Sequence, residues 1–200
     1  MGQRPTSREG VGRRPPESTW TVFDTLFGWT ALERCDAGVL RVLIGCRSKH
    51  ELSAALPAGV AVSFDQDLLT DRIQNYFAGM PDEFDEVPLA ATWSTPFQRT
   101  VVRALRQVRY GETTTYGELA RRVGRPAAAR AVGQVMATNP VPLLVPCHRV
   151  LGAGGALGGF SAPTGIALKK RLLQLEARPN VSRTLSDLRD VGVALGGRRR

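Results

Sequence analysis

Residues 115–140 read TYGELARRVGRPAAARAVGQVMATNP, and this stretch decides how the second half of the chain folds. The spacing predicts one short helix ending at Gly124 and a second over RPAAARAVGQVMATNP, starting at Arg125 and stopped before Asn139-Pro140. A tight turn with Gly124 and Pro126 joins them, which makes the pair a helix-turn-helix candidate. Arg130 on the second helix is surrounded by small residues, Ala129 and Gly133 among them. A surface that must approach a nucleic-acid groove closely can use that smallness. Two packed helices of any α-rich domain would show the same pattern, so the reading needs support from outside the stretch.

On its N-terminal side, TPFQRTVVRALRQV (95–108) is a further helix, with Thr95 as N-cap, Pro96 at the first helical position and an apolar stripe through Phe97, Val101, Leu105 and Val108. On its C-terminal side, GAGGALGGFSAPTG (152–165) is a glycine-rich loop. Its GxGxxG-like spacings lack the strand and helix that a dinucleotide site requires. ALKKRLLQLE (167–176) closes this half as a helix with Leu168, Leu172 and Leu175 on one face. The first half differs in texture. WTVFDTLFGWTALERC (20–35) and GVLRVLIGCRS (38–48) read as a β meander, HELSAALP and DLLTDRIQNYFAG as helices, and MPDEFDEVPLAATWS (80–94) as an acidic linker with a short strand. The expected organisation is a disordered basic arm (1–18), an α+β domain (19–92), a mostly α domain with the helix-turn-helix (93–177) and a basic tail (178–200).

The net charge of +9 is unevenly spread. Residues 19–92 hold five basic and eleven acidic groups, whereas residues 93–176 hold twelve basic and three acidic. That asymmetry points to a polyanionic partner, nucleic acid first, although a solvated arginine-rich surface gives the same balance. No apolar run approaches the ~18 residues needed to span a bilayer, and the N-terminus lacks the apolar core of a secretory signal. Three cysteines, sparse and odd in number, argue against a disulfide framework and for an intracellular protein.

The chemistry gathers in NPVPLLVPCHRV (139–150). A thiol becomes a nucleophile as its thiolate, which calls for a base oriented by a third group. His148 adjoins Cys147, but neighbours on an extended strand face opposite ways, so either the chain turns here or a water relays the proton. The acids of residues 93–176 are Glu112, Glu118 and Glu176, and of these Glu176, at the end of the closing helix, could fold back towards this centre as the orienting carboxylate. The plain alternative is a buried thiol beside a core histidine. Cys35 and Cys46 take that plain reading; with His50 they lack the spacing and the fourth ligand of a zinc site, and no metal or other cofactor is expected.

NPVPLLVPCHRV resembles the active-site signature of the methylated-DNA–protein-cysteine methyltransferases, the O6-alkylguanine-DNA alkyltransferases. TPFQRTVVRAL, YGETTTYGELA and AARAVGQVMATNP precede it, and GGFS and LLQLE follow it, in that family's order. The resemblance is strong over about residues 95–176 and loose over 20–92. It implies a ribonuclease H-like N-terminal domain and a winged-helix-like C-terminal one. It implies a single-turnover repair protein that flips O6-alkylguanine, or O4-alkylthymine, out of double-stranded DNA and takes the alkyl group onto Cys147. His148 would be the base, acting through a water, with Glu176 fixing its tautomer and Asn139 supporting the active-site turn. Arg130 would fill the vacated stack, with Ala129 and Gly133 allowing close approach to DNA. Tyr116 would approach the flipped nucleotide and help protonate the leaving guanine, while the backbone of Val150 and Ser161 would read its polar edge. A cytoplasmic monomer is implied, nucleoid-associated in a bacterium or nuclear in a eukaryote.

The chain departs from that pattern in a longer loop at 161–165, in Val102 where tryptophan is common, in VRY before Gly111, and in its tail. Three other classes compete: a DNA-damage binder without an acceptor cysteine, a cysteine hydrolase, and a regulator switched by methylation of a second, metal-bound cysteine. Cys147 opposes the first, no oxyanion-hole pattern supports the second, and the chain has no cysteines to build the third's metal domain.

Overall fold

A computed structural model describes residues 17–178; the basic arm and the tail lie outside the described residues apart from their inner ends. Strands β1 (Thr19–Phe23), β2 (Trp29–Cys35) and β3 (Gly38–Cys46) form the expected antiparallel meander, and the short β4 (Val62–Ser63) adds in parallel to β1. Both faces of this small mixed sheet are covered. Trp20, Val22 and Ala31 pack with Leu52 of α1 (Lys49–Ala55) on one side. Phe23, Leu32, Val42 and Ile44 join α2 (Leu68–Phe77) and the C-terminal half on the other. Period-two side-chain alternation with apolar residues on both faces explains why the strands read as nearly continuous apolar runs.

Local signals position the helices closely. Capping boxes at Asp67–Thr70, Thr95–Gln98 and Thr115–Glu118 start α2, α3 (Pro96–Leu105) and α4 (Tyr116–Arg122). The second helix of the pair differs from its expected start. α5 spans Ala129–Ala137, because Arg125–Ala128 form a turn closed by the Ala128 N–H donating to Arg125 O at 2.9 Å. Pro126 and the absence of any side-chain cap leave nothing to begin the helix earlier. α6 (Ile166–Glu176) buries Leu168, Leu172 and Leu175 as expected. β5 (Thr114–Thr115) pairs in parallel with β6 (Val150–Leu151) and ties the start of α4 to the active-site segment.

Residues 80–94 are a fastened strap, with the expected strand reduced to a bridge between Val39 and Leu89. Phe84 is buried, Asp82 and Glu86 bind Arg72, and Asp85 binds Arg109 at 2.7 Å. The hydrophobic core runs without a break from Phe23 to Leu175 across residue 92.

Candidate active site

Asn139 braces the loop between α5 and β6 at two points. Asn139 accepts from the Val141 N–H at 3.2 Å and donates through Nδ2 to Val145 O at 2.8 Å. Between them Leu143 adopts φ +72°, a left-handed conformation that costs a non-glycine residue about 1–2 kcal/mol and persists because its surroundings fix it. The same Asn139 amide lies 3.2 Å from Cys147 Sγ.

Cys147, His148 and Arg149 form a single 3-10 turn, so the chain does turn at this point and the strand geometry considered for the Cys-His pair does not apply. Cys147 is 6% exposed and His148 fully buried. His148 Nε2 lies 2.9 Å from Glu176 Oε1, while Nδ1 is buried without a protein partner. A ring with Nε2 against a carboxylate carries its proton there, leaving the Nδ1 lone pair as the basic atom. Glu176 also takes Arg149 Nε at 3.0 Å, Arg149 Nη2 at 2.9 Å, the Gly111 N–H at 3.2 Å and the Tyr76 hydroxyl.

Burial sets the charge states. It pushes the Cys147 thiol up, against the smaller opposing effects of the Asn139 amide and the Lys169 charge. It pushes the His148 imidazole down, against the pull of Glu176. Burial alone would raise Glu176 too, but hydrogen bonds from His148 and Arg149 hold it at about 2. The resting site is therefore a neutral thiol and a neutral imidazole beside a fixed Glu176–Arg149 ion pair.

Cys147 faces a cleft of about 290 Å³ bounded by Val42 of β3, Met136 of α5, Pro142, Phe160 and Ser161. A smaller cleft of about 220 Å³ shares Met136, Phe160 and Ser161 with it and adds Tyr116 and Gly133. Tyr116 sits beneath two glycines. A Cβ on Gly158 would lie 2.7 Å from its hydroxyl, and one on Gly133 3.9 Å from its ring. The Val150 carbonyl accepts from Lys169 Nζ at 2.6 Å, and the Ser161 hydroxyl donates to Ala137 O at 2.7 Å. Arg130 is exposed on α5, away from both clefts, with Ala129 half-buried before it.

Four residues that contact this network escaped the sequence reading. Arg149 stood in the quoted motif without a role. Lys169 is buried among apolar groups and lies seven residues before Glu176, a two-turn spacing that places both on one face of α6 and was a usable signal. Glu83, which binds Arg149 at 3.1 Å, looked like one of several linker acids. Tyr76 looked like core at helical spacing, and nothing in the sequence distinguishes its hydroxyl. Among the described residues no cluster of three metal-ligating side chains occurs, and no helix is long and apolar enough to cross a membrane.

Residues 96–178 match the family model described as "6-O-methylguanine DNA methyltransferase, DNA binding domain". A methylated-DNA–protein-cysteine methyltransferase of Salmonella typhimurium is 38% identical over 162 residues, covering 78% of this chain and 88% of its own. The crystal structure of Mycobacterium tuberculosis O6-methylguanine methyltransferase superposes with a TM-score of 0.69 at 32% identity, over 85% of this chain and 99% of that one. A crystal structure from the same organism in complex with DNA superposes at 0.66 with 32% identity, over 84% and 99%. With that identity over most of both lengths, and with the Cys147–His148–Glu176 geometry in place, the chain belongs to the methylated-DNA–protein-cysteine methyltransferase family.

Proposed function

We propose that this protein repairs O6-alkylguanine in duplex DNA by moving the alkyl group onto Cys147, with O4-alkylthymine as a second substrate to test. The observation that carries the reading is the buried thiol facing a base-sized cleft, beside a neutral histidine anchored on an ionised glutamate. His148 Nδ1 takes the thiol proton through a water, and Glu176 steadies the imidazolium that forms. The sulfur attacks the alkyl carbon, a C–S bond forms as the C–O bond breaks, and the guanine leaves with a proton donated by Tyr116. Burial keeps that phenol protonated, since it raises Tyr116 above its ordinary value. Asn139 holds the loop and hydrogen-bonds the sulfur, and the Lys169 charge favours the thiolate.

The target base leaves the stack to reach the cleft, at a cost of a few kcal/mol. Arg130, exposed on a helix whose neighbouring residues are small, occupies the gap, with Ala129 and Gly133 permitting close approach. The Val150 carbonyl, which keeps one lone pair, and the backbone of Ser161 read the base edge. Among the described residues none is positioned to cleave the thioether, so each molecule acts once, as a monomer without cofactor and inside the cell. Residues 19–92 form a ribonuclease H-like unit and residues 93–177 a winged-helix-like one, with the basic tail from 178 adding positive charge.

The test is incubation with duplex DNA containing O6-methylguanine, followed by peptide mass spectrometry. One added CH2 equivalent on the Cys147 peptide, with guanine restored, supports the reading. An intact lesion with unmodified Cys147 sinks it.

A further inference from the structure

Tyr76 belongs to α2 in the N-terminal half, outside the 96–178 region matched by the family model. It is 1% exposed. Its ring packs against Phe77, Phe84 and Tyr110, each with centroids 5.7 Å away, and a phenylalanine would fill that space equally well. The hydroxyl is the part that packing does not explain. It donates to Glu176 Oε1 and lies 3.3 Å from His148 Nε2, so one oxygen touches both members of the acid–base pair.

We infer that the Tyr76 hydroxyl is a positioning group for the nucleophile's base: it pins Glu176 and His148 in register and draws charge from the carboxylate, so that His148 rests as a free base. The inference rests on the alkyl-transfer reading above and assigns the N-terminal half a part in the chemistry.

The electrostatic logic follows from the shared oxygen. Oε1 serves His148 Nε2, the Tyr76 hydroxyl and Arg149 together. Every added donor lowers the attraction that the carboxylate exerts on an imidazolium proton. Other groups face the same point: Arg149 from the turn, Lys169 from α6, Tyr110 from the segment after α3, and Glu83 from the strap through Arg149. Arg149 and Lys169 disfavour the imidazolium as burial does, and the hydroxyl acts in the same direction. Burial, and then the Glu176 charge, hold Tyr76 well above the ordinary phenol range, so it donates throughout the working pH range.

The test compares the full chain with Tyr76→Phe. The protein has two histidines, His50 and His148, so nitrogen NMR of the imidazoles resolves the titration of each. The expected result is a His148 midpoint about one pH unit higher in Tyr76→Phe, a tenfold change in proton affinity. Alkyl transfer from O6-benzylguanine to Cys147 should slow about tenfold on the acid side of its pH–rate profile while the alkaline side stays put. An unmoved midpoint, or an equal loss at every pH, overturns the inference. Phe84→Leu loosens the ring's packing but keeps the hydroxyl; it should lower the melting temperature without moving the midpoint. If it moves the midpoint as far as Tyr76→Phe does, packing is the cause and the inference falls. Should the unaltered protein transfer no alkyl group, the proposed function fails, while the NMR midpoints still decide the role of Tyr76.

Discussion

Replacing Arg149 by methionine tests whether the fixed ion pair behind the nucleophile is a structural element in its own right. The guanidinium is buried and hydrogen-bonded through all three of its nitrogens. Nε and Nη2 bind Glu176, while Nη1 donates to Val108 O at 2.6 Å and to Glu83 at 3.1 Å. Methionine keeps the unbranched stem and removes every donor. Two arguments bear on the loss. A carboxyl held at about 2 instead of its ordinary 4.5 contributes about 3 kcal/mol above the higher value, and since His148 supplies more of that lowering than Arg149 does, the figure is a ceiling on this part of the Arg149 contribution. Breaking a buried pair from one side costs about 3–5 kcal/mol. The sign fixes the pH window. Because the folded value is depressed, the stabilisation is complete above about 4.5 and is lost as pH falls through about 2. Urea unfolding should therefore show Arg149→Met weaker by about 3 kcal/mol at neutral pH, with the gap closing towards the low end of that window. Adding Glu176→Gln should recover much of the loss, since neither charge is then buried alone. A gap that is equal at both ends of the window, or one under about 1 kcal/mol at neutral pH, would refute the reasoning.

Arg130→Ala should slow repair in duplex DNA far more than transfer from free O6-benzylguanine, as measured by single-turnover kinetics on both substrates; equal losses would contradict a stacking role. Gly158→Ala places a methyl 2.7 Å from the Tyr116 hydroxyl, so alkyl transfer should fall about tenfold or more with little change in melting temperature. Asn139→Ala removes both loop ties and the contact to Cys147, and should cost about 1–3 kcal/mol in chemical denaturation together with a slower reaction. Arg121, Arg122, Arg125 and Arg130 are exposed and make no ion pair among the described residues; if they alone meet phosphates, log affinity should fall with log salt at a slope of about −4, and a slope near −9 would show that this count is wrong.

The helices were legible because their starts are written in short-range chemistry. Thr95-Pro96 and the leucine spacing of α6 each need only neighbours within a turn or two to declare themselves, whereas the Thr115–Glu118 capping box was not read. The start of α5 was misread by four residues, since periodicity runs through Arg125–Ala128 although no cap begins a helix there. Cys147, His148 and Glu176 could be named as a set, yet their geometry depended on a 3-10 turn that the adjacency of Cys and His does not reveal. Long-range partners were the least legible. Tyr76 meets Glu176 across 100 residues and Arg149 meets Glu83 across 66, and no local pattern records such pairs. The charge asymmetry also overstated the surface that faces a polyanion. Arg149 and Lys169 are buried, and Arg106 and Arg109 are tied to the strap through Phe84, Asp85 and its carboxylate.

If the proposed alkyl transfer consumes Cys147, a thiol that is inert at rest is an advantage, and the arrangement here provides one. A standing thiolate would be exposed to oxidants and stray electrophiles. Burial instead keeps Cys147 protonated and His148 uncharged, while the permanent charges nearby, Glu176 and Arg149, do not titrate near neutrality. On the proposed reaction, reactivity is latent in the field of a fixed ion pair and appears when a proton can pass from sulfur to the imidazole. Such a field must be rigid to work, because a charge that relaxes stabilises the resting state as well as the reacting one. Rigidity is what the seam between the two halves supplies. Glu83 from the strap and Tyr76 from α2 close the network from the N-terminal side, while Gly111 and α6 close it from the other. The N-terminal half is thus bound to the site by Tyr76 and Glu83 as well as through the unbroken hydrophobic cluster that runs past the segment the sequence implied to be a linker.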